Sequence, residues 1–144
     1  MNDKTILLVE DNEDDVELTL LAFKKNNFTN SFVVLRDGAE AIDYLLGNVQ
    51  KQIQPSGLKP ALILLDLNLP KINGIEVLRH LRSNEISKLI PVVVLSTSKD
   101  RKDILLSYKN GANSYIIKPV DFSEFLETVK FLGRYWLNLN ELPN

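Results

Sequence analysis

The chain contains no cysteine. Disulfides, thiolate metal sites and cysteine nucleophiles are therefore excluded outright. Its single histidine, His80, lies inside a helical pattern, where an imidazole is far more often a surface residue than a base. A serine hydrolase is disfavoured twice over, by that shortage and by the missing Gly-x-Ser-x-Gly elbow. No Gly-x-Gly-x-x-Gly follows the first apolar run, which speaks against a dinucleotide-binding domain. An excess of one charge is also lacking. Lys and Arg number 17 against 19 Asp and Glu, so there is no basic field for nucleic acid. No apolar run approaches membrane-spanning length, and Thr5-Ile6-Leu7-Leu8-Val9 is too short for a signal-peptide core. The expected setting is cytoplasmic, with neither membrane nor nucleic acid as a direct partner.

What the chain does have is an ordinary globular composition. It has 144 residues, 44% hydrophobic and 25% charged, which suits one domain with one proper core. The stretch Ala61-Leu62-Ile63-Leu64-Leu65-Asp66-Leu67-Asn68-Leu69-Pro70 organises it. Its apolar part is too short for a typical helix and suits a strand buried on both faces of a parallel sheet. An unpaired carboxylate inside that run would be costly, so Asp66 belongs at the strand's C-terminal end. In open α/β sheets that edge is where ligands bind.

Four further runs repeat the pattern. Thr5 to Val9 ends in Glu10 and Asp11; residues 31–35 precede the Asp37-Gly38 turn; Pro91-Val92-Val93-Val94-Leu95 ends in Ser96-Thr97-Ser98; Ser114-Tyr115-Ile116-Ile117 ends at Lys118-Pro119. A helical pattern follows each. The first buries Val16, Leu20 and Phe23 behind Glu13, Asp14 and Asp15, which read as charge favourable to a helix N-terminus. Residues 39–46, 74–83 and 99–110 form the next three, the last stopped by Gly111. Asp121-Phe122-Ser123-Glu124 is a capping box for the fifth, which buries Phe125, Leu126, Val129, Leu132 and Trp136 before fraying over 138–144. Residues 47–60 form a surface loop longer than such connections usually are. Strand–helix five times over, with right-handed crossovers, makes a parallel sheet with helices on both faces.

All the strand ends lie on one edge of such a sheet, so Glu10, Asp11, Asp66, Ser96, Thr97 and Lys118 can converge there. Crowded carboxylates repel one another, and a hard divalent cation relieves that. Mg²⁺ takes few protein carboxylates and keeps waters for a phosphate to replace. Carboxylate, metal, hydroxyl and lysine together are what phosphoryl transfer to an aspartate requires.

At this point the residues carry a family resemblance. From about Lys4 to Gly133 the chain resembles a response-regulator receiver domain of two-component signalling. Val9-Glu10-Asp11 resembles the acidic pair, with Glu10 standing where many receivers have Asp. Asp66-Leu67-Asn68-Leu69-Pro70 followed by Gly74 resembles the phosphoacceptor segment. Ser96 fits the switch hydroxyl, Tyr115 the switch aromatic, and Lys118-Pro119 the lysine with its cis proline. The long loop, the Asp66-to-Lys71 wording and the Tyr135-Trp136-Leu137…Leu142-Pro143 tail resemble stand-alone regulators of bacterial phytochrome-type histidine kinases.

The resemblance implies a flavodoxin-like fold with strand order 2-1-3-4-5. It implies that Asp66 accepts phosphate from a kinase phosphohistidine. Asp11 and Asp66 would bind Mg²⁺ directly, Asn68 through its backbone carbonyl and Glu10 through a water. Lys118 would pair with Asp66 before phosphorylation and with phosphoryl oxygens after it. Ser96 and the backbone of Thr97 would meet the phosphoryl group, and Tyr115 would turn inward. Asn68 and Ser98 would flank the path of an attacking water. No output domain fits after Gly133, so the expectation is a single-domain switch rather than a turnover enzyme, acting through protein contact, with an apolar tail that either packs back onto the domain or makes a homodimer contact. Two other readings stand beside it: a receiver-like binding module that is never phosphorylated, and a phosphatase with an aspartyl nucleophile. Asn68 weakens the last, because such phosphatases place an acid there.

Overall fold

The computed structural model describes residues 4–46 and 59–143. Most of the long loop therefore lies outside the described residues. Five parallel strands stand in the order β2-β1-β3-β4-β5. They are β1 (Ile6–Val9), β2 (Phe32–Leu35), β3 (Leu62–Leu65), β4 (Val92–Ser96) and β5 (Ser114–Ile117). The helices alternate with them: α1 (Glu13–Lys25), α2 (Gly38–Leu46), α3 (Gly74–Arg82), α4 (Arg101–Lys109) and α5 (Phe122–Gly133). The five-strand doubly wound sheet is thus as expected.

The period-2 rule sorts the central strands onto two cores. Leu7, Val9, Ile63, Leu65, Val92 and Val94 face α2 and α3, where Val77, Leu78 and Leu81 are buried. Ile6, Leu8, Leu62, Leu64, Val93 and Leu95 face α1 and α5, against Phe23, Phe125 and Val129. Both faces of β1, β3 and β4 are covered, so continuous apolar runs were the right signal. α4 is different. Ser107 is its one buried residue, while Leu105 and Tyr108 stand exposed.

Local chemistry ends the helices. Asn12 and Asn73 cap α1 and α3 by accepting from the N–H groups of Asp15 and Glu76. Gly111, at φ +106°, takes the left-handed residue that stops α4. The α5 capping box does not form. The Asp121 carboxylate accepts from the Ser123 hydroxyl at 2.7 Å, a nearer donor, and makes no cap bond to the helix backbone. The 118–119 peptide is trans, the form X–Pro bonds ordinarily take, rather than the expected cis.

The tail does not fray at its start. α5 runs on into a π-helical turn, Arg134–Leu139, closed by Asn140 N–H on the Tyr135 carbonyl at 2.7 Å. That turn carries Leu137 into the core at 1% exposure, with Trp136 half-buried beside it. The Lys4 ammonium donates to the Leu137 carbonyl at 2.9 Å, tying the first strand's approach to the tail. Burial of a whole leucine makes this segment part of the fold. Leu137→Ala should cost about 2–5 kcal/mol, read as a lower urea midpoint at unchanged slope. A loss near zero would mean the tail is an appendage.

Candidate functional site

β1 and β3 are paired in register, Val9 opposite Leu65, so Glu10 and Asp66 leave the sheet side by side. The chain then bends away at both ends. The Asp66 N–H donates to the Val9 carbonyl and the Glu10 N–H to the Leu35 carbonyl, which holds both carboxylates at the sheet edge. Gly74 allows α3 to start close by. A Cβ there would lie 2.5 Å from the Asp66 carbonyl oxygen, a distance real side chains do not tolerate. Glu10, Asp11 and Asp66 each bring one carboxylate oxygen within 4.8 Å of the others. Glu10 is buried, Asp66 half-buried and Asp11 exposed, so the cluster opens to solvent on one side.

Lys118 answers the cluster from just past the end of β5. Its ammonium donates to Glu10 Oε1 at 2.7 Å and to Asp15 Oδ2 at 3.2 Å. The expected resting partner was Asp66. The structure instead gives the closest contact to Glu10, the deepest of the acids, whose longer side chain reaches the lysine first. Asp15 was read as helix-terminal charge and is more than that. It sits in the first turn of α1, at the place from which a carboxylate can face back across β1. No spacing between Glu10 and Asp15 in the sequence announces that contact. Glu13, by contrast, pairs with Arg36 at the surface.

These surroundings shift the titrations. Burial pushes Glu10 up to about 7, with the Asp66 charge adding to it and the Lys118 hydrogen bond resisting. Burial raises Asp66 also, eased by the Lys118 charge and by hydrogen bonds from Glu10 and from the Leu67 and Asn68 N–H groups. Burial works to lower Lys118, but its bond to Glu10 and the charges of Glu10, Asp66 and Asp15 outweigh it and leave its pKa raised. One ammonium does not neutralise four acids. The all-oxygen donor set, crowded and part-open, fits a hard divalent cation.

Across the edge, β4 ends in Ser96, fully buried, with Thr97 exposed. Ser96 Oγ accepts from Ser98 N–H at 3.1 Å. Tyr115, half-buried against the α2–α3 core, donates its hydroxyl to the Ser98 carbonyl at 2.9 Å. It is already turned in. Ser98 was expected beside the path of water, but its hydroxyl goes to Asp103 Oδ2 at 2.6 Å. Asn68 is exposed at the rim. His80 is on the surface of α3, as expected.

The family model for the response regulator receiver domain matches residues 6–130. The chain belongs to that family. Among curated relatives, this receiver is 42% identical over 140 residues to the probable methanogenesis regulatory protein FilR2 of Methanothrix harundinacea, covering 96% of this chain and 86% of that protein. It is 38% identical over 140 residues to the response regulator Rcp1 of Synechocystis sp., covering 97% and 93%. Among solved structures, the phosphorylated cyanobacterial phytochrome response regulator RcpA superposes at a TM-score of 0.86, with 41% identity and 99% of each chain covered. Rcp1 has been solved with Mn²⁺ bound, at a TM-score of 0.84, 38% identity, and 98% and 99% covered. The likeness of this receiver to phytochrome regulators therefore holds over nearly the whole chain. Among the described residues, no helix is long and apolar enough to cross a membrane.

Proposed function

We propose that this receiver is a stand-alone cytoplasmic response regulator whose Asp66 takes a phosphoryl group from a histidine kinase of the phytochrome type. The observation that carries the proposal is the meeting of Glu10, Asp11 and Asp66 within 4.8 Å. An Asp66 carboxylate oxygen attacks phosphorus as the N–P bond of a phosphohistidine breaks, and the histidine nitrogen leaves with the bonding pair. Asp11 and Asp66, the Asn68 carbonyl, and Glu10 through a water would hold Mg²⁺. When bound, that ion offsets the charge gathering on the transferred oxygens. Lys118, whose charge already acts on Asp66, supplies a second positive group to those oxygens. Ser96 Oγ and the Thr97 N–H supply donors. The protein promotes only its own modification and its reversal, and turns over no other substrate.

The phosphoryl group shifts a population only through contacts that differ between two states. Turning a mostly inactive population mostly active takes about 5.5 kcal/mol of such preference. Charge-assisted bonds from Lys118 and Ser96 in a half-buried site are of the right size to share it. Ser96→Ala is expected to accept phosphate and to lose most of the phosphorylation-dependent change in amide hydrogen exchange over α4 and β5. A full change there would remove the switch role.

The test of the whole reading is intact-protein mass after incubation with acetyl phosphate. A gain of one phosphoryl group that requires Mg²⁺ supports it. Absence of that gain, repeated with beryllofluoride and no change in amide hydrogen exchange over α4 and β5, would leave a binding module. For output, Leu137 and Trp136 are spent on the fold, and Phe131, Tyr135 and Leu139 are the large apolar side chains left exposed along α5 and its extension. A homodimer through this stripe is the proposed contact. Light scattering should show Leu139→Ser, Tyr135→Ser shifted to monomer mass. Equal masses before and after substitution would exclude the stripe.

A further inference from the structure

α1 starts beside Glu10 and ends at Lys25, so the loop from there into β2 lies at the sheet edge opposite Asp66. At that edge an open cleft of about 540 Å³ separates the loop from the end of α5 and its extension. Its lining includes Lys25, Lys130 and Arg134, with Asn27, Thr29 and Asn138. No lining residue is acidic, in a chain whose net charge is −2. Among the described residues none of the three cations makes an ion pair or a side-chain hydrogen bond. Glu127 stands one turn before Lys130 and does not pair with it.

Helix ends explain part of this charge. Lys25 lies in the last turn of α1, where a cation is favourable against the helix dipole. Lys130 and Arg134 have no such reason. α5 runs on without a break into the turn Arg134–Leu139, so both cations sit inside the helical run and not at its carboxyl end. They are four residues apart and therefore neighbours on one face, where like charges destabilise a helix. Lys25 brings a third positive group to the same cleft. Such a gathering opposes the fold and favours an anion.

The walls are fixed in place. Phe28 packs so closely on Gly133 that a Cβ there would lie 2.3 Å from its ring. That ring stands 5.9 Å from the ring of Phe23. The Asn26 side-chain amide donates to the Ala22 carbonyl at 2.9 Å and to the Leu126 carbonyl at 3.0 Å, which ties α1 to α5. A ligand would meet a surface already formed, and a preformed site loses less on binding.

We propose that this cleft binds a small molecule carrying two or more phosphate groups, of the size of a nucleotide. Its volume lies within the range of about 300–1,000 Å³ usual for small-ligand sites. Lysine and arginine are the side chains suited to phosphate oxygens, and three cations are more than one phosphate group compensates. The side chains of Asn27, Thr29 and Asn138 make no hydrogen bond with the described residues and can bond the rest of the ligand. The cleft shares no residue with the Asp66 cluster, so the proposal stands apart from phosphoryl transfer.

The probes are ATP, pyrophosphate and adenosine, titrated at low salt in EDTA, which removes the cation that would draw phosphates to Asp66. Backbone amide shifts over residues 25–30 and 130–138 should move with ATP and pyrophosphate and stay still with adenosine. ATP bound more tightly than pyrophosphate identifies a nucleotide as the ligand; equal affinities identify the phosphate groups alone. Lys130→Gln and Arg134→Gln should each weaken ATP about tenfold, the size of one lost charge-assisted bond. Neither should lower the melting temperature without ligand, because each removes a repulsion. Lys130→Arg should keep the affinity, and Asp66→Asn should leave it unchanged. No shift at these amides, or shifts spread evenly over other surface lysines, would overturn the site. Unchanged ATP affinity in both glutamine variants would overturn it as well.

Discussion

Asp66→Asn is expected to take up no phosphoryl group from acetyl phosphate and to melt several degrees above the unmodified protein at about pH 8 without Mg²⁺. Both outcomes come from the same carboxylate. An amide has no anionic oxygen for attack on phosphorus, and Ser96, Thr97 and Lys118 offer no replacement with the same approach. In the resting protein that carboxylate is a burden. Asp66 is half-buried beside Glu10 and Asp11, and burial has raised its pKa. A group whose folded pKa is raised above its unfolded value, when it is an acid, costs stability once both states are ionised. Asparagine removes that cost and keeps the geometry, because its side-chain oxygen can still accept from the Leu67 N–H now bonded to Asp66 Oδ1 at 2.8 Å. Function and stability thus pull opposite ways at one position. Intact mass and thermal unfolding read the two halves separately. Phosphoryl uptake by the variant would move the acceptor elsewhere. A lower melting temperature would show that the Asp66 charge is well compensated already.

How much of this was legible beforehand depended on the kind of residue. Leu62, Ile63, Leu64 and Leu65 are buried on both faces, and a continuous apolar run has few other homes, so β3 and the place of Asp66 followed directly. Ser114 to Ile117 was found to the residue. The partners of Lys118 were not found. A long flexible ammonium chooses among acids by distance, and the distance to Asp15 depends on the angle at which α1 leaves β1, which no local pattern encodes. Asn138 and Leu139, expected to fray, belong to the π turn instead, for a related reason. Over six residues an apolar pattern cannot tell a π turn from the end of a helix, so only the tertiary site for Leu137 decides. Asp121 had the right residue type for a cap, but the Ser123 hydroxyl competes for it two residues on. The bonds of Ser98 to Asp103 and Tyr115 were equally hidden, because both partners come from elements whose approach is set by the sheet.

Glu10 gives the second large effect, a stability that falls as pH rises until a divalent cation is added. Burial, with the Asp66 charge adding to it, holds this acid at about 7 in the folded protein against an ordinary 4.5. Between those values the native state binds more protons than the unfolded state, so the slope of unfolding free energy with pH is negative. The cost is absent below about pH 4.5 and fully present above about pH 7, where it is on the order of 3 kcal/mol. Asp66, raised in the same direction, adds to the fall. Lys118 acts in another window. Its raised pKa gives stability that is intact below its unfolded value of 10.5 and is lost above it, so it does not bend the curve near neutrality. A divalent cation binds only deprotonated ligands, and its stabilisation must grow through the same range. Melting temperatures from about pH 5 to about pH 8 should therefore decline in EDTA and flatten with Mg²⁺. Glu10→Gln should make the EDTA curve shallower without any metal, since the amide has nothing to titrate, and leave the part of the fall that Asp66 contributes. A decline that survives this substitution unchanged would mean that the burial of Glu10 is not what the cation relieves. A curve in Mg²⁺ that still runs parallel to the EDTA curve would mean that the cation does not draw on these carboxylates.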